Sequence, residues 1–201
     1  MKIKVGVVFG GTSREREISF AGGRTVYDNL DKSLFEAIPI FIDSFNNLII
    51  LDWEYIYKGS IRDFYPPFNK VEHSSNGYQV YAESLGDLDP PAQLSLTSKL
   101  GTRIEPSTLT SLIDFAFLCL HGTNGEDGRI QGMLEFYGVP YSGTGIFSSA
   151  VGMNKHLQKD LMARYGFKVP EYTSIDRQTW LSISDRDSMM KFIAGKVGAP
   201  F

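Results

Sequence analysis

Apolar and polar positions fall into short blocks whose period changes along the chain. Ile3 to Phe9 is a β-branched run closed by Gly10 and Gly11, which reads as a strand. Ile18 to Leu30 can carry a helix, with Ala21, Gly22 and Gly23 small enough for close packing. Ala37 to Ile42 is a second apolar run. Strand, helix and strand in about 40 residues make a βαβ unit, so the two strands are expected to be parallel neighbours joined by a right-handed crossover. The chain therefore opens as a doubly wound α/β domain.

The middle is less regular. Ser44 to Tyr57 alternates weakly around Asn46-Asn47 in the manner of a hairpin, and Tyr65-Pro66-Pro67 and Asp89-Pro90-Pro91 punctuate a polar, serine-rich stretch. Residues 44–110 read as an insertion. The α/β pattern resumes with a strand over Asp114 to Leu120, a helix over Arg129 to Tyr137 and a short strand around Val139 to Tyr141. Ser142-Gly143-Thr144-Gly145 then closes a first domain, expected to span residues 1–150. Beyond it, Leu157, Leu161 and Tyr165 form the apolar stripe of a helix over Asn154 to Tyr165, stopped at Gly166. Val169 to Ile175 is predicted as a strand, Arg186 to Ala194 as a helix running out at Gly195, and Val197 to Phe201 as the opening of another strand. A chain that stops on such an opening is expected to be the first part of a longer protein, with residues 151–201 an incomplete second domain.

Composition narrows the class without naming a ligand. Of 201 residues, 42% are hydrophobic and 21% charged, and the net charge is −3, which leaves no basic footprint for nucleic acid and no solvating acidic tail. The one cysteine, Cys119, lies inside an apolar run and is expected to pack as a small buried hydrophobe, so no disulfide framework is available. Met1 to Phe9 turns apolar at once and breaks at Gly10-Gly11, too short for a secretory core, and no apolar span reaches membrane length. A cytoplasmic location is the expectation. His73 and His156 are read as surface residues.

Three polar stretches stand where a ligand would bind. Open α/β sheets bind ligands at the carboxyl ends of their strands, beside the unpaired N–H groups of the next helix. Gly10-Gly11-Thr12-Ser13-Arg14-Glu15-Arg16-Glu17-Ile18-Ser19 follows the first strand and is neither a dinucleotide fingerprint nor a P-loop. Glu15 and Glu17 either complement the positive end of the helix dipole, with Arg14 and Arg16 solvated, or supply a carboxylate for a substrate ammonium. Ser13 has no histidine nearby to make it a nucleophile. His121-Gly122-Thr123-Asn124-Gly125-Glu126-Asp127-Gly128 follows a later strand and points His121 toward the ligand crevice, although Asp127 as a helix cap and the glycines as turn formers explain part of it. Tyr141-Ser142-Gly143-Thr144-Gly145 precedes Lys155, which is either solvated or aimed at a phosphate.

Together these stretches resemble the D-alanine–D-alanine ligases of the ATP-grasp superfamily. That family's pattern of His-Gly, two residues, Gly-Glu-Asp-Gly, one residue, an apolar residue and Gln-Gly is matched in full from His121 to Gly132. Gly10 to Ser13 with Glu15, Glu17 and Ser19 is similar to its first loop, and Gly138 to Gly145 with Ser149-Ala150 and Met153 to Lys155 to the segment entering its ATP-binding domain. The likeness covers residues 1–43 and 112–175.

The resemblance implies an open, mostly parallel, Rossmann-like (pre-ATP-grasp) α/β sheet with helices on both faces, followed by the start of an ATP-grasp domain. It implies a substrate role for the first domain, ATP and Mg2+ as cofactors, D-alanine as substrate, peptidoglycan precursor synthesis as the process, and a homodimer. Glu15 would hold the ammonium of the first D-alanine, as the catalytic and substrate-binding residue, with His121 in the same pocket. Lys155 would reach the ATP phosphates, and the metal ligands would lie beyond residue 201, so that these 201 residues alone are expected to be inactive. A ligase taking D-lactate or D-serine second, or a non-catalytic α/β binding module, stands as the alternative. Two departures are Asn154, where the family has Asp, and the middle segment from Phe45 to Thr110, which matches none of its patterns.

Overall fold

A computed structural model describes residues 2–58 and 90–198. Tyr65-Pro66-Pro67, His73, Asp89 and the end of the expected terminal strand (199–201) lie outside the described residues. The chain packs as two compact units, Met1–Met153 and Asn154–Phe201.

The first unit is built on a five-stranded sheet in the order β4-β3-β2-β1-β5. Strand β1 (Ile3–Gly10) runs into helix α1 (Arg16–Asn29) and strand β2 (Phe35–Ile42), and β1 pairs with β2 in parallel along its whole length, as the βαβ pattern requires. Strand β5 (Phe115–Leu118) lies parallel on the other side of β1. Tyr141 adds one parallel bridge to Ala116, which is what the short strand expected around Val139 becomes.

The outer edge is antiparallel. Asp43, 1% exposed, accepts hydrogen bonds from the Phe45 and Asn47 amides, both at 2.8 Å, and from Asn47 Nδ2 at 2.9 Å. With Asn46 at φ +62°, this turns β2 back into strand β3 (Leu48–Leu51). The hairpin is therefore centred on Asn46-Asn47, but its first arm is β2, and Trp53–Lys58 forms helix α2 where the weak alternation predicted strand. Helix α3 (Pro90–Ser98) leads into strand β4 (Gly101–Ile104), which pairs antiparallel with β3. Both ends of the stretch read as an insertion are thus hydrogen-bonded into the sheet.

Alternate side chains of the central strands enter separate cores, as a pleated sheet covered on both faces demands. Val5, Val7, Phe9 and Phe41 pack with Phe20 of α1, Ile56 of α2 and Cys119. Phe9, Phe20 and Phe41 meet edge-on or tilted at centroid distances of 5.4, 5.9 and 6.4 Å. On the opposite face Val8, Ile40 and Ile42 pack with Leu109 of helix α4 (Leu109–Leu112) and with Ile130 and Leu134 of helix α5 (Arg129–Phe136). Helix α6 (Ile146–Met153) completes the unit.

The second unit contains helices α7 (Lys155–Arg164), α8 (Arg177–Ser182) and α9 (Arg186–Val197). Their side-chain N-caps are Asn154, Asp176 and Asp185, each accepting from the amide three residues on. Residues 169–175 are irregular, not the expected strand, and α9 runs past Gly195 to stop at Gly198. His156 is half exposed beside Asp160, in keeping with a surface position.

Candidate functional site

The loop after β1 is tied down by backbone donors. Gly10 N donates to Ser19 Oγ of α1 at 2.8 Å, and Gly11 N donates to the Ile42 carbonyl at 2.7 Å, so the loop leaves the sheet at the shared carboxyl edge of β1 and β2. Ser13 Oγ accepts from the Glu15 amide at 3.1 Å. Glu15 occupies the N-cap position of α1, yet its side chain makes no capping hydrogen bond and is exposed. Arg16 departs from the solvated reading: it is 2% exposed, and its Nη1 donates to the Ser13 carbonyl at 3.4 Å. An arginine folded back on the loop that precedes it stiffens the entrance to α1.

The loop after β5 is held largely by its own acids. Glu126 Oε2 accepts from the Gly122 amide at 2.7 Å, and Asp127 Oδ2 accepts from the Asn124 amide at 3.0 Å. The Asp127 carboxylate also takes the Arg129 amide at 3.3 Å, so it does cap α5, although from one residue ahead of the N-cap, Gly128. Gln131 Nε2, buried under the loop, donates to the Gly125 carbonyl at 3.0 Å. His121, half-buried, stands at the start of this braced loop.

The two loops touch. Gly122 adopts φ +69°, and a Cβ there would lie 2.4 Å from Ser13 Oγ and 3.2 Å from Glu15 Oε2, so only glycine admits the approach. Asn124 Nδ2 donates to Thr12 Oγ1 across the same gap at 3.2 Å. The contact exists because β1 and β5 are parallel neighbours while β2 lies on the other side of β1, which makes their carboxyl ends a topological switch point. Beside it opens a cleft of about 310 Å3, lined among others by Gly11, Leu120, His121, Asn124, Arg129 and Met133. Glu15 does not line that cleft; it faces the loop from the Gly122 side.

Thus Glu15 and the His121 loop are brought together, whereas Lys155 is the first residue of α7 and belongs to the second unit. Asn154, the departure from the family's Asp, accepts from the Leu157 amide at 3.1 Å and so keeps the cap that either residue provides. Cys119, two residues before His121, is no nucleophile: burial pushes its thiol up to about 11. Tyr141 is pushed up to about 12, chiefly by its hydrogen bond to the Glu135 carboxylate, and stays a phenol. Among the described residues no group of three or more His, Cys, Asp or Glu is placed to hold a metal ion.

Sequence reasoning passed over Thr12, Asn124, Arg129 and Gln131. The available signal was Asn124 directly before Gly125 in a turn, since asparagine tolerates positive φ better than most side chains, and it does adopt φ +69°.

Comparison with known proteins places the chain. Residues 4–144 match the family model described as D-ala D-ala ligase N-terminus. A D-alanine–D-alanine ligase of Natranaerobius thermophilus is 34% identical over 199 residues, covering 99% of this chain and 48% of that protein. One from Caldicellulosiruptor bescii is 36% identical over 161 residues, covering 80% of this chain and 38% of its own length. The chain spans about half the length of the curated relatives it matches. Among solved structures, the D-alanine-D-alanine ligase from Coxiella burnetii superposes with a TM-score of 0.65 at 22% identity, over 98% of this chain and 50% of that one. The VanG D-Ala:D-Ser ligase from Enterococcus faecalis gives 0.64 at 24% identity over the same shares. These two likenesses speak for the fold. With the family model running from β1 through the whole His121 loop, the chain belongs to the D-ala D-ala ligase N-terminus family.

Proposed function

We propose that the protein carrying this chain is an ATP-dependent ligase that joins two D-alanines for peptidoglycan precursor synthesis. Residues 1–150 are its substrate domain and 151–201 the start of its ATP-grasp domain. The observation that carries this reading is the meeting of the Glu15 loop and the His121 loop at Gly122, at the carboxyl ends of neighbouring β1 and β5, with the Glu15 carboxylate on the Gly122 side and His121 lining the adjacent cleft. An exposed carboxylate not spent on helix capping suits an ammonium. Glu15 holds the ammonium of the first D-alanine, and His121 lies on the substrate side of the opposing loop. Lys155, at the amino end of a ten-residue helix, offers its charge to the ATP phosphates, in keeping with the positive end of the helix dipole.

The chemistry follows from the poor leaving ability of a carboxylate oxygen. A carboxylate oxygen of the first D-alanine takes the terminal phosphoryl group of ATP, giving an acyl phosphate and ADP. The free amine of the second D-alanine attacks the carbonyl carbon, the C–O bond to phosphate breaks, and inorganic phosphate leaves as the peptide bond forms. The nitrogen then gives up its proton. Bringing anions this close demands cations and fixed dipoles around the phosphate. Mg2+ accompanies ATP in this reading; among the described residues no group of three or more His, Cys, Asp or Glu is placed to hold it. A cytoplasmic homodimer is part of the proposal.

The test is a product assay on the protein that carries this chain, supplied with ATP, Mg2+, D-alanine and, in turn, a second D-alanine, D-serine or D-lactate. D-alanyl-D-alanine is the expected principal product, with one phosphate released per dipeptide. Preference for D-serine or D-lactate would replace the acceptor in this proposal, and absence of any D-alanine-dependent phosphate release would favour a binding module.

A further inference from the structure

We propose that Asn124 is a positioning residue: through Thr12 it fixes the separation of the loop that carries Glu15 from the loop that carries His121. The inference rests on the reading that those two loops hold the first D-alanine between them. Asn124 occupies one of the two open positions in the His-Gly, two residues, Gly-Glu-Asp-Gly pattern, so the motif itself gives it no role.

Its geometry is fixed from four directions. The backbone stands at φ +69°, which asparagine tolerates. Its amide donates to Asp127 Oδ2 at 3.0 Å, and its carbonyl accepts from the Ile130 amide at 3.3 Å. Its Oδ1 accepts from Arg129 Nη1 at 2.8 Å, while Arg129 also pairs with Asp127 at 3.2 Å. A guanidinium only donates, so the oxygen end of the Asn124 amide must face Arg129 and the NH2 end must face away from it. That leaves the NH2 group aimed at Thr12 Oγ1, 3.2 Å distant in the other loop.

Thr12 stands three residues before Glu15, and Ser13 between them both accepts from the Glu15 amide and abuts Gly122. The loops are therefore held by two unlike devices: a steric stop at Gly122 sets how close they come, and the Asn124–Thr12 hydrogen bond keeps them from separating. Asn124 acts through the backbone of the Glu15 loop and touches no substrate in this account. Losing the bridge leaves the Glu126 and Asp127 bracing of one loop and the Ser13 bracing of the other in place and widens the pocket, so the cost falls on capture of the first D-alanine.

The experiment compares Asn124→Gly, Thr12→Val and the double variant in the protein carrying this chain. Asn124→Gly keeps a residue that accepts positive φ and deletes the amide, while Thr12→Val attacks the same bond from a different loop. Each is expected to raise KM for the first D-alanine by about 3–10-fold, the scale of one hydrogen bond. KM for ATP should stay unchanged in all of them and the thermal midpoint in Thr12→Val, the double variant should be no worse than Asn124→Gly, and Thr12→Ser should restore the wild-type KM. Additive losses, an unchanged D-alanine KM or an equal rise in the ATP KM would overturn the proposal.

A second readout separates this from failure of the ligase reading. In amide NMR spectra of the protein carrying this chain, without substrate, Asn124→Gly should shift Thr12 to Glu15, and Thr12→Val should shift His121 to Gly125. Shifts confined to the mutated loop would refute the coupling even in a fully active enzyme. Reciprocal shifts in a protein that never turns over D-alanine would keep the coupling and remove the substrate.

Discussion

Gly23 of α1 faces the ring of Phe9 so closely that a Cβ there would lie 2.4 Å from Phe9 Cγ, and Phe9 is itself locked among Phe20 and Phe41. One turn-neighbour away, a Cβ at Gly22 would meet only Cys119 Cβ at 3.9 Å, an ordinary contact. Gly23→Ala should therefore destabilise the chain by about 1–3 kcal/mol through overpacking, whereas Gly22→Ala should be neutral or gain about 0.5–1 kcal/mol of helix propensity. Chemical denaturation of the two variants checks this, and equal effects would contradict it. The small-residue stretch Ala21 to Gly23 is readable in the sequence as a close-packing face. Which of the three bears the contact is not, because that depends on where Phe9 of a different element points. Likewise Glu15 and His121 are readable from residue type and place, while Arg16 reads as solvated and is buried. Its side chain folds back to the Ser13 carbonyl three residues earlier, a loop conformation that no apolar period encodes.

Helix boundaries in the second unit are written by single capping side chains, and the two aspartates among them titrate. The Asp176 carboxyl is held below the usual aspartate range by the Thr179 amide and then by the Thr179 hydroxyl, and Asp185 by the Ser188 hydroxyl and then its amide. A carboxyl whose folded value is lowered contributes stability that is fully present above its unfolded value, near 4, and lost as pH falls through the folded one. The amides of Thr179 and Ser188 should thus keep their capped NMR positions from neutrality down to about pH 4 and lose them below it. Asp185→Asn, which can still accept, should abolish the acid transition at Ser188 alone; a transition that persists there would show that another group drives it. At this scale β1, α1, β2 and α5 follow from period and punctuation, and the Asn46-Asn47 turn from Asx chemistry. The expected strand at 169–175 fails for a physical reason: strand propensity measures fit to a pleated, paired surface, and no described strand pairs with these residues.

In the first unit as a whole, the candidate site exists because two strands far apart in sequence, β1 and β5, become parallel neighbours and present their loops at one edge. The α/β class and the strand-end location were legible from alternating apolar runs followed by glycine-laced turns. The contact at Gly122 was not, since it needs the sheet order and the positive φ together. The reading of the middle segment as an insertion missed that β3 and β4 lengthen the sheet beyond β2. Strands of four residues give too short a pattern to separate from loop.

The central claim is that Glu15, set against the His121 loop, holds the ammonium of the first D-alanine. Its most direct test is the D-alanine-dependent kinetics of phosphate release by the protein carrying this chain, with Glu15 intact and as Glu15→Gln. The substitution keeps size and one acceptor oxygen and removes the charge. Loss of a charge-assisted contact on the order of 1.5–3 kcal/mol should lower kcat/KM for the first D-alanine about 10- to 150-fold, with KM for ATP little changed. Unchanged D-alanine kinetics in Glu15→Gln, beside an active wild type, would contradict the account.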